Sequence, residues 1–196
     1  MSRLPTACDT ALKEWATVLE AMAKGEQLLL IRKGGLIEPG TGFELTTPVF
    51  LFYPTFEHQA VSYLRPPFTG YFDQAAARRA PAGQVRIELI GQAVASLRST
   101  DVSLIDRLAE FHIYNGAFAT QRLKWQPETP LAFVAIRVFR VPEPRVLTVH
   151  PDYAGCTSWV ALKAPEPLSG LVPVLDDAAF AGRLAALRRI VPLEPV

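Results

Sequence analysis

Apolar residues recur along this chain at two different spacings. Leu12, Trp15, Leu19 and Met22 fall three or four apart, Asp9 or Thr10 suits an N-cap before them, and Gly25 follows, which predicts a first helix. Apolar runs at Gln27 to Arg32 and Phe50 to Tyr53, the second ended by Pro54, predict short strands. Val85, Ile87, Leu89, Ala93, Ala95 and Leu97 alternate with Arg86, Glu88, Gln92 and Ser96. That period of two predicts a strand with one dry and one wet face, bent or bulged at Gly91. Ser103 to Asp106 resembles a capping box, opening a helix with Leu104, Leu108, Phe111, Phe118 and Trp125 along one stripe and a candidate break at Asn115-Gly116. Strands are expected at 131–141, 145–149 and 158–163, then a last helix capped by Asp176 or Asp177, with Phe180, Leu184, Leu187 and Ile190 inward and Pro192 closing it.

These elements do not alternate strictly between strand and helix. The expected class is therefore α+β, a mixed, mainly antiparallel bent sheet or a partly closed barrel, with about three or four flanking helices. Residues 1–196 read as a single domain, with 64–84 a loop-rich excursion carrying Pro66, Pro67, Gly70, Pro81 and Gly83, and 165–196 a C-terminal helical extension.

Composition narrows the function classes. With 49% hydrophobic residues the chain has ample core, and a net charge of +1 argues against a surface that coats nucleic acid. A compact basic patch is still compatible with that balance. The basic residues are 15 Arg and 5 Lys, a bias that favours bidentate recognition of phosphates, carboxylates and base edges, although GC-rich coding produces the same bias. Two cysteines, Cys8 and Cys156, make neither a disulfide framework nor a zinc site. No apolar run approaches the length of a membrane span, and the N-terminal residues lack a signal-peptide core, so a reducing cytoplasmic location is expected.

The common catalytic and nucleotide-binding signatures are absent. There is no G-x-x-x-x-G-K, G-x-G-x-x-G, G-x-S-x-G or H-E-x-x-H. The residues two before Lys13, Lys24, Lys33, Lys124 and Lys163 are Ala11, Met22, Ile31, Arg122 and Ala161, so the acid-x-Lys pattern of a restriction-nuclease core is missing too.

Four polar constellations remain. In the first, Arg32 and Lys33 precede Gly34 and Gly35, which let a ligand approach the backbone, with Glu38 as a candidate base; the alternative is a solvated turn. The second is Thr55, Glu57 and His58 directly after an apolar strand: either an acid–base or ligand group, or a helix start capped by Thr55. Third, helical projection places Asn115 and Arg122 within the apolar arc of the central helix, with His112 at its edge, while Arg137 shares a strand face with Phe133 and Phe139. Such buried cations need a salt bridge or a ligand. The fourth is Cys156, read as a buried structural thiol because no histidine lies in local register to activate it. No metal centre is expected, and the cofactor is open.

Several of these residues sit in separated blocks that resemble a known family. They are Ala11 to Trp15, Arg32 to Gly35 with Glu38, Tyr53 to Gln59, Arg122 to Trp125 with Pro127, Arg137, and Tyr153 to Trp159. Together they resemble the bacterial domain-of-unknown-function family 1802, over about Ala11 to Leu162. Some relatives carry the region beside a restriction-type endonuclease domain, so the resemblance implies a restriction–modification or DNA-defence setting and a recognition or accessory role. The resulting expectation is a module binding a nucleotide or nucleic-acid feature through Arg32, Lys33, Gly34, Gly35, Thr55, Arg122, Trp125 and Arg137. The partly closed barrel, by fold analogy, would be similar to PUA-like nucleic-acid-binding folds. The rivals are a hydrolase or nuclease-like enzyme using Glu38, Glu57 and His58, and a structural subunit acting through a protein partner.

Overall fold

A computed structural model describes residues 3–33, 42–124 and 128–196. Among the described residues there are five α-helices and an eight-stranded sheet. The elements run β1 (Ala7–Trp15), α1 (Ala16–Ala23), β2 (Leu29–Arg32), β3 (Val49–Thr55), α2 (Gly70–Ala77), β4 (Gln84–Ser99), α3 (Ser103–Arg107), α4 (Gly116–Lys124), β5 (Leu131–Thr148), β6 (Trp159–Pro167), β7 (Val172–Pro173), α5 (Asp177–Ile190) and β8 (Glu194–Pro195). No described helix is long and apolar enough to cross a membrane.

The main path of the sheet is β2-β5-β4-β3-β1-β6, with β7 on β5 and β8 on β4. Every pairing is antiparallel except β1 with β3, which run parallel from Ala11↔Leu51 to Trp15↔Thr55. The sheet does not close into a barrel, which removes that alternative. Its two ends nevertheless meet through a side chain. Arg32, the last residue of β2, donates from Nη1 to the Lys13 carbonyl at 3.1 Å and from Nη2 to Ser158 Oγ, just before β6, at 3.0 Å. Near the same seam Phe43 stacks on Trp159 with ring centroids 5.8 Å apart, and the Trp159 indole N–H donates to the Glu44 carbonyl at 3.0 Å.

Both faces of the sheet are covered. One apolar cluster holds Leu12, Phe50, Phe52, Leu89, Ala93 and Phe133, and a smaller one holds Ala11, Leu51, Tyr53, Val85, Ile87 and Ile90. The simple alternation expected in β4 therefore fails. A register shift between Ile87 and Leu89 moves the strand's inward set from one face to the other, and Gln92 is buried rather than wet. Gly91 is not the bulge itself. A Cβ there would stand 2.7 Å from the Phe50 ring and 2.9 Å from the Phe52 ring, so glycine makes room for two aromatic side chains.

Other elements also differ from the local pattern. The first predicted helix is a strand up to Trp15 and a helix only from Ala16, because β1 is held on both sides by β3 and β6 and tertiary pairing overrides the local spacing. Pro54 does not end β3, which runs on to Thr55. The long central helix is broken. Ser103 does not cap α3: the N-cap position is Val102, which makes no side-chain cap, and Asp101 accepts from the Ser103 amide at 2.9 Å in the turn before it. The chain is extended at His112, and Asn115 starts α4 by accepting from the Ala117 amide at 2.9 Å. The excursion at 64–84 contains α2, tied down by Lys24 Nζ to Gln74 (2.7 Å) and the Tyr71 hydroxyl to Glu26 (2.6 Å). Residues 165–196 are not purely helical. They include β7 and β8 around α5, whose N-cap Asp176 accepts from the Ala179 amide at 2.8 Å and whose Phe180 and Leu187 enter the larger core.

Candidate functional site

β1 and β3 end side by side, and a cavity of about 900 Å³ opens beyond those ends. Open sheets tend to place ligands outside the carboxyl ends of parallel strands, where neighbouring chains diverge. Arg32, Lys33, Thr55, Glu57, His58 and Arg122 all line this cavity. Gly34, Gly35, Glu38 and Trp125 lie outside the described residues.

Each lining group has a distinct environment. Arg32 is held from behind by Glu14, a buried carboxylate 3.3 Å from its Nη1; the other Glu14 oxygen accepts from the Trp15 amide at 2.7 Å. Lys33 is buried, and its ammonium donates to the Arg122 carbonyl at 2.8 Å, near the end of α4, where a cation favourably meets the helix's unpaired carbonyls. Burial, then the nearby Arg122 charge, pushes the Lys33 ammonium below its ordinary value. Lys13 donates to the Gly155 carbonyl at 2.8 Å and is likewise pushed down by burial, with Cys156 and Glu57 opposing.

Arg122 differs from the others. Its guanidinium lies over the rings of Trp15 (5.3 Å) and Phe118 (5.2 Å), and among the described residues its side chain has no hydrogen-bond or ion-pair partner. Burial and the neighbouring Arg32 push its proton affinity down, against the pull of Tyr114 and Glu14. The platform beneath it is aromatic. Trp15 stacks on Tyr63 at 6.0 Å and meets Phe118 edge-on at 5.8 Å, while Tyr114 stacks on Phe118 at 3.7 Å.

Thr55 closes β3 with its hydroxyl on the Glu14 carbonyl (3.2 Å); no helix starts there. Glu57 and His58 are exposed on the turn that follows, and His58 takes a positive φ of 63°, uncommon for a residue with a side chain. Cys156 is exposed on the cavity wall, which corrects the expectation of a buried thiol: Gly155 carries a positive φ and turns the chain outward there. Arg137 does not line the cavity. It is buried on β5, pairs with Asp177 in the first turn of α5 and lies over the Phe139 and Phe180 rings. Among the described residues no group of three or more His, Cys, Asp or Glu side chains is placed to hold a metal ion.

Glu14, Lys13, Tyr114 and Ser158 also meet at the site, although no pattern along the chain assigns them a role of their own. Glu14 shares strand parity with buried Leu12, and a carboxylate in register with core residues signals a buried partner. His112 is structural: its Nε2 pairs with the Ile105 carbonyl at 2.8 Å and its Nδ1 accepts from the Tyr114 amide at 3.1 Å. Burial pushes its imidazole down to about 4, with Arg65 adding to the effect and the Ile105 carbonyl opposing it. Between that value and the ordinary one near 6.5 the unfolded chain binds a proton that the folded chain refuses. Stability is therefore complete above about pH 6.5 and falls as pH drops toward 4, by about 3 kcal/mol at the acid end. Urea unfolding from pH 7.5 to 4.5 should show that loss in the wild type and a shallower loss in His112→Asn.

The fold and cavity define an α+β protein with an open, bent, mostly antiparallel sheet and a cation-lined pocket at its seam. The chain belongs to a family described as a domain of unknown function, DUF1802, whose model matches residues 11–186. No curated protein sequence matches it. Among solved structures, the crystal structure of a mutant ZmASCH protein from Zymomonas mobilis is similar, with 12% identity and a TM-score of 0.43, covering 94% of this chain and 99% of that one.

Proposed function

We propose that the cavity recognises a compact anionic ligand, a nucleotide or a nucleic-acid feature, and that the chain acts as a recognition or accessory module. The observation that carries this reading is Arg122: a half-buried guanidinium lining the cavity, with no hydrogen-bond or ion-pair partner among the described residues. A charge partly withdrawn from water is stabilised when an opposite charge reaches it, and a bound anion does so. The stacked rings occupy its apolar surface and leave its N–H edge, the part that pairs with oxyanions. Arg32, aimed by Glu14 and Ser158, lies close enough to Arg122 to lower its proton affinity, so one ligand spans both. A net charge of +1 fits a pocket better than a track along DNA. A restriction–modification setting is what the family resemblance adds.

The test is a thermal-shift screen of the purified chain against nucleotides, short single- and double-stranded DNA and RNA, and divalent metals. A ligand at a hundred times its dissociation constant contributes about 2.7 kcal/mol, which raises Tm by roughly 5–10 °C in a chain of this size. Stabilisation by a divalent metal alone would transfer the site to an enzyme built on Glu57 and His58. No stabilisation by any anion would end the recognition reading.

A further inference from the structure

We infer that the ligand is a phosphate monoester of nucleoside size, bound through a single phosphate group, as a free mononucleotide or as the phosphorylated end of a single strand. This rests on the anion reading above and narrows it. The narrowing comes from which cations around the cavity are already paired or solvated.

At one end Lys13, Arg32, Lys33 and Arg122 are opposed by two carboxylates, Glu14 behind Arg32 and Glu57 on the exposed turn. Lys13 and Lys33 are held by neutral carbonyls, which orient them without cancelling their charge. Among the described residues this leaves two positive charges in excess, and a phosphate monoester carries about −1.5 to −2 at neutral pH. At the other end the cations are paired or exposed to water. Arg78 contacts Glu20 at 3.4 Å and Glu88 at 2.7 Å, and Arg86 contacts Glu88 at 2.9 Å. Arg79, which lies over the Phe56 ring at 4.7 Å, and Arg140, which donates to the Ala23 carbonyl, are both exposed, and water already solvates their charges. A second or third phosphate would therefore meet ion pairs and solvated groups rather than a desolvated cation.

The wall between the two ends is partly apolar. Leu19, Tyr53, Leu89 and Tyr153 line it, the last three buried. A volume of about 900 Å³ is far more than a phosphate needs and lies within the range of small-molecule sites. Apolar walls of this kind reward a planar body attached to the anion, which a nucleoside supplies and inorganic phosphate lacks.

Calorimetric titration of the full chain with inorganic phosphate, nucleosides, and the matching mono-, di- and triphosphates tests this. A nucleoside monophosphate should bind about thirtyfold or more tighter than inorganic phosphate, as burial of a base predicts. Further phosphates, reaching only paired or solvated cations, should change affinity by no more than about fivefold. Single-stranded hexanucleotides with a 5′-phosphate or a 5′-hydroxyl distinguish the two sources: strong preference for the phosphorylated strand over the mononucleotide assigns a strand end, and the reverse assigns the free nucleotide. Affinity that climbs with each added phosphate, or inorganic phosphate binding as tightly as the monophosphate, overturns the inference while leaving an anion site in place. If nothing in the series binds, the recognition reading itself fails and this inference with it.

Discussion

An Arg122→Met variant is expected to lose anion binding while melting no lower than the wild type. The direction on stability follows from burial without a partner. Arg122 is half-buried and, among the described residues, has no hydrogen-bond or ion-pair partner, so an apolar side chain of similar length gives up no pairing and relieves part of a desolvation cost. Methionine keeps contact with the Trp15 and Phe118 rings. The Lys33 bond is made to the Arg122 backbone carbonyl and survives the change. Binding should respond in the opposite sense. Removing one partner of a desolvated charge pair costs about 2–5 kcal/mol, roughly thirtyfold to several thousandfold in affinity. Titration with whichever nucleotide stabilises the wild type reads the binding loss, and a thermal melt reads the fold. Unchanged affinity would place the anion elsewhere; a collapsed melt would show Arg122 to be a structural cation paired on folding.

Trp15→Ala is expected to have the largest effect on stability. Trp15 is the last residue of β1, buried, and contacts the rings of Tyr63, Tyr114 and Phe118 at 6.0, 6.0 and 5.8 Å. Truncating a buried tryptophan to alanine costs about 3–5 kcal/mol through lost transfer energy and the cavity left behind. In a chain of this length that lowers Tm by roughly 6–20 °C. The same change removes half of the Arg122 platform, so the surviving folded protein should also bind anions more weakly. Trp15→Phe should recover most of the stability. A fall in Tm of under about 3 °C would mean that the aromatic cluster repacks without it.

Much of the candidate site was legible because strand ends announce themselves. Arg32 and Lys33 close an apolar run before two glycines, and Thr55, Glu57 and His58 follow another, so polar residues were placed at the ends of buried strands. Arg122 stood out as a cation within the arc of Leu104, Leu108 and Phe111, by about 100° per residue along one long helix; the break before α4 means that this projection does not itself fix which way Arg122 faces. Glu14 was missed because residues 9–15 carry a spacing that helix and strand can both claim, and the helical reading hid its parity with Leu12. Arg137 was correctly marked as a buried cation needing a partner, but periodicity gives a face and not a neighbour; α5 supplies Asp177 from forty residues away.

The chain's own pattern of apolar and polar positions determined the α+β class, the apolar strands from β2 to β6, the last helix with an acidic cap at Asp176 or Asp177, and the cations that need partners, because these depend on spacing along one element. Tertiary structure decided the rest. Whether residues 7–15 are strand depended on β3 and β6 lying on either side, and which face of β4 is dry depended on a bulge after Ile87. That Arg32 reaches across from β2 to Lys13, Glu14 and Ser158 depended on the bend of the sheet, which brings its two ends together. Such contacts join residues up to 126 positions apart, and no local periodicity encodes a distance of that kind.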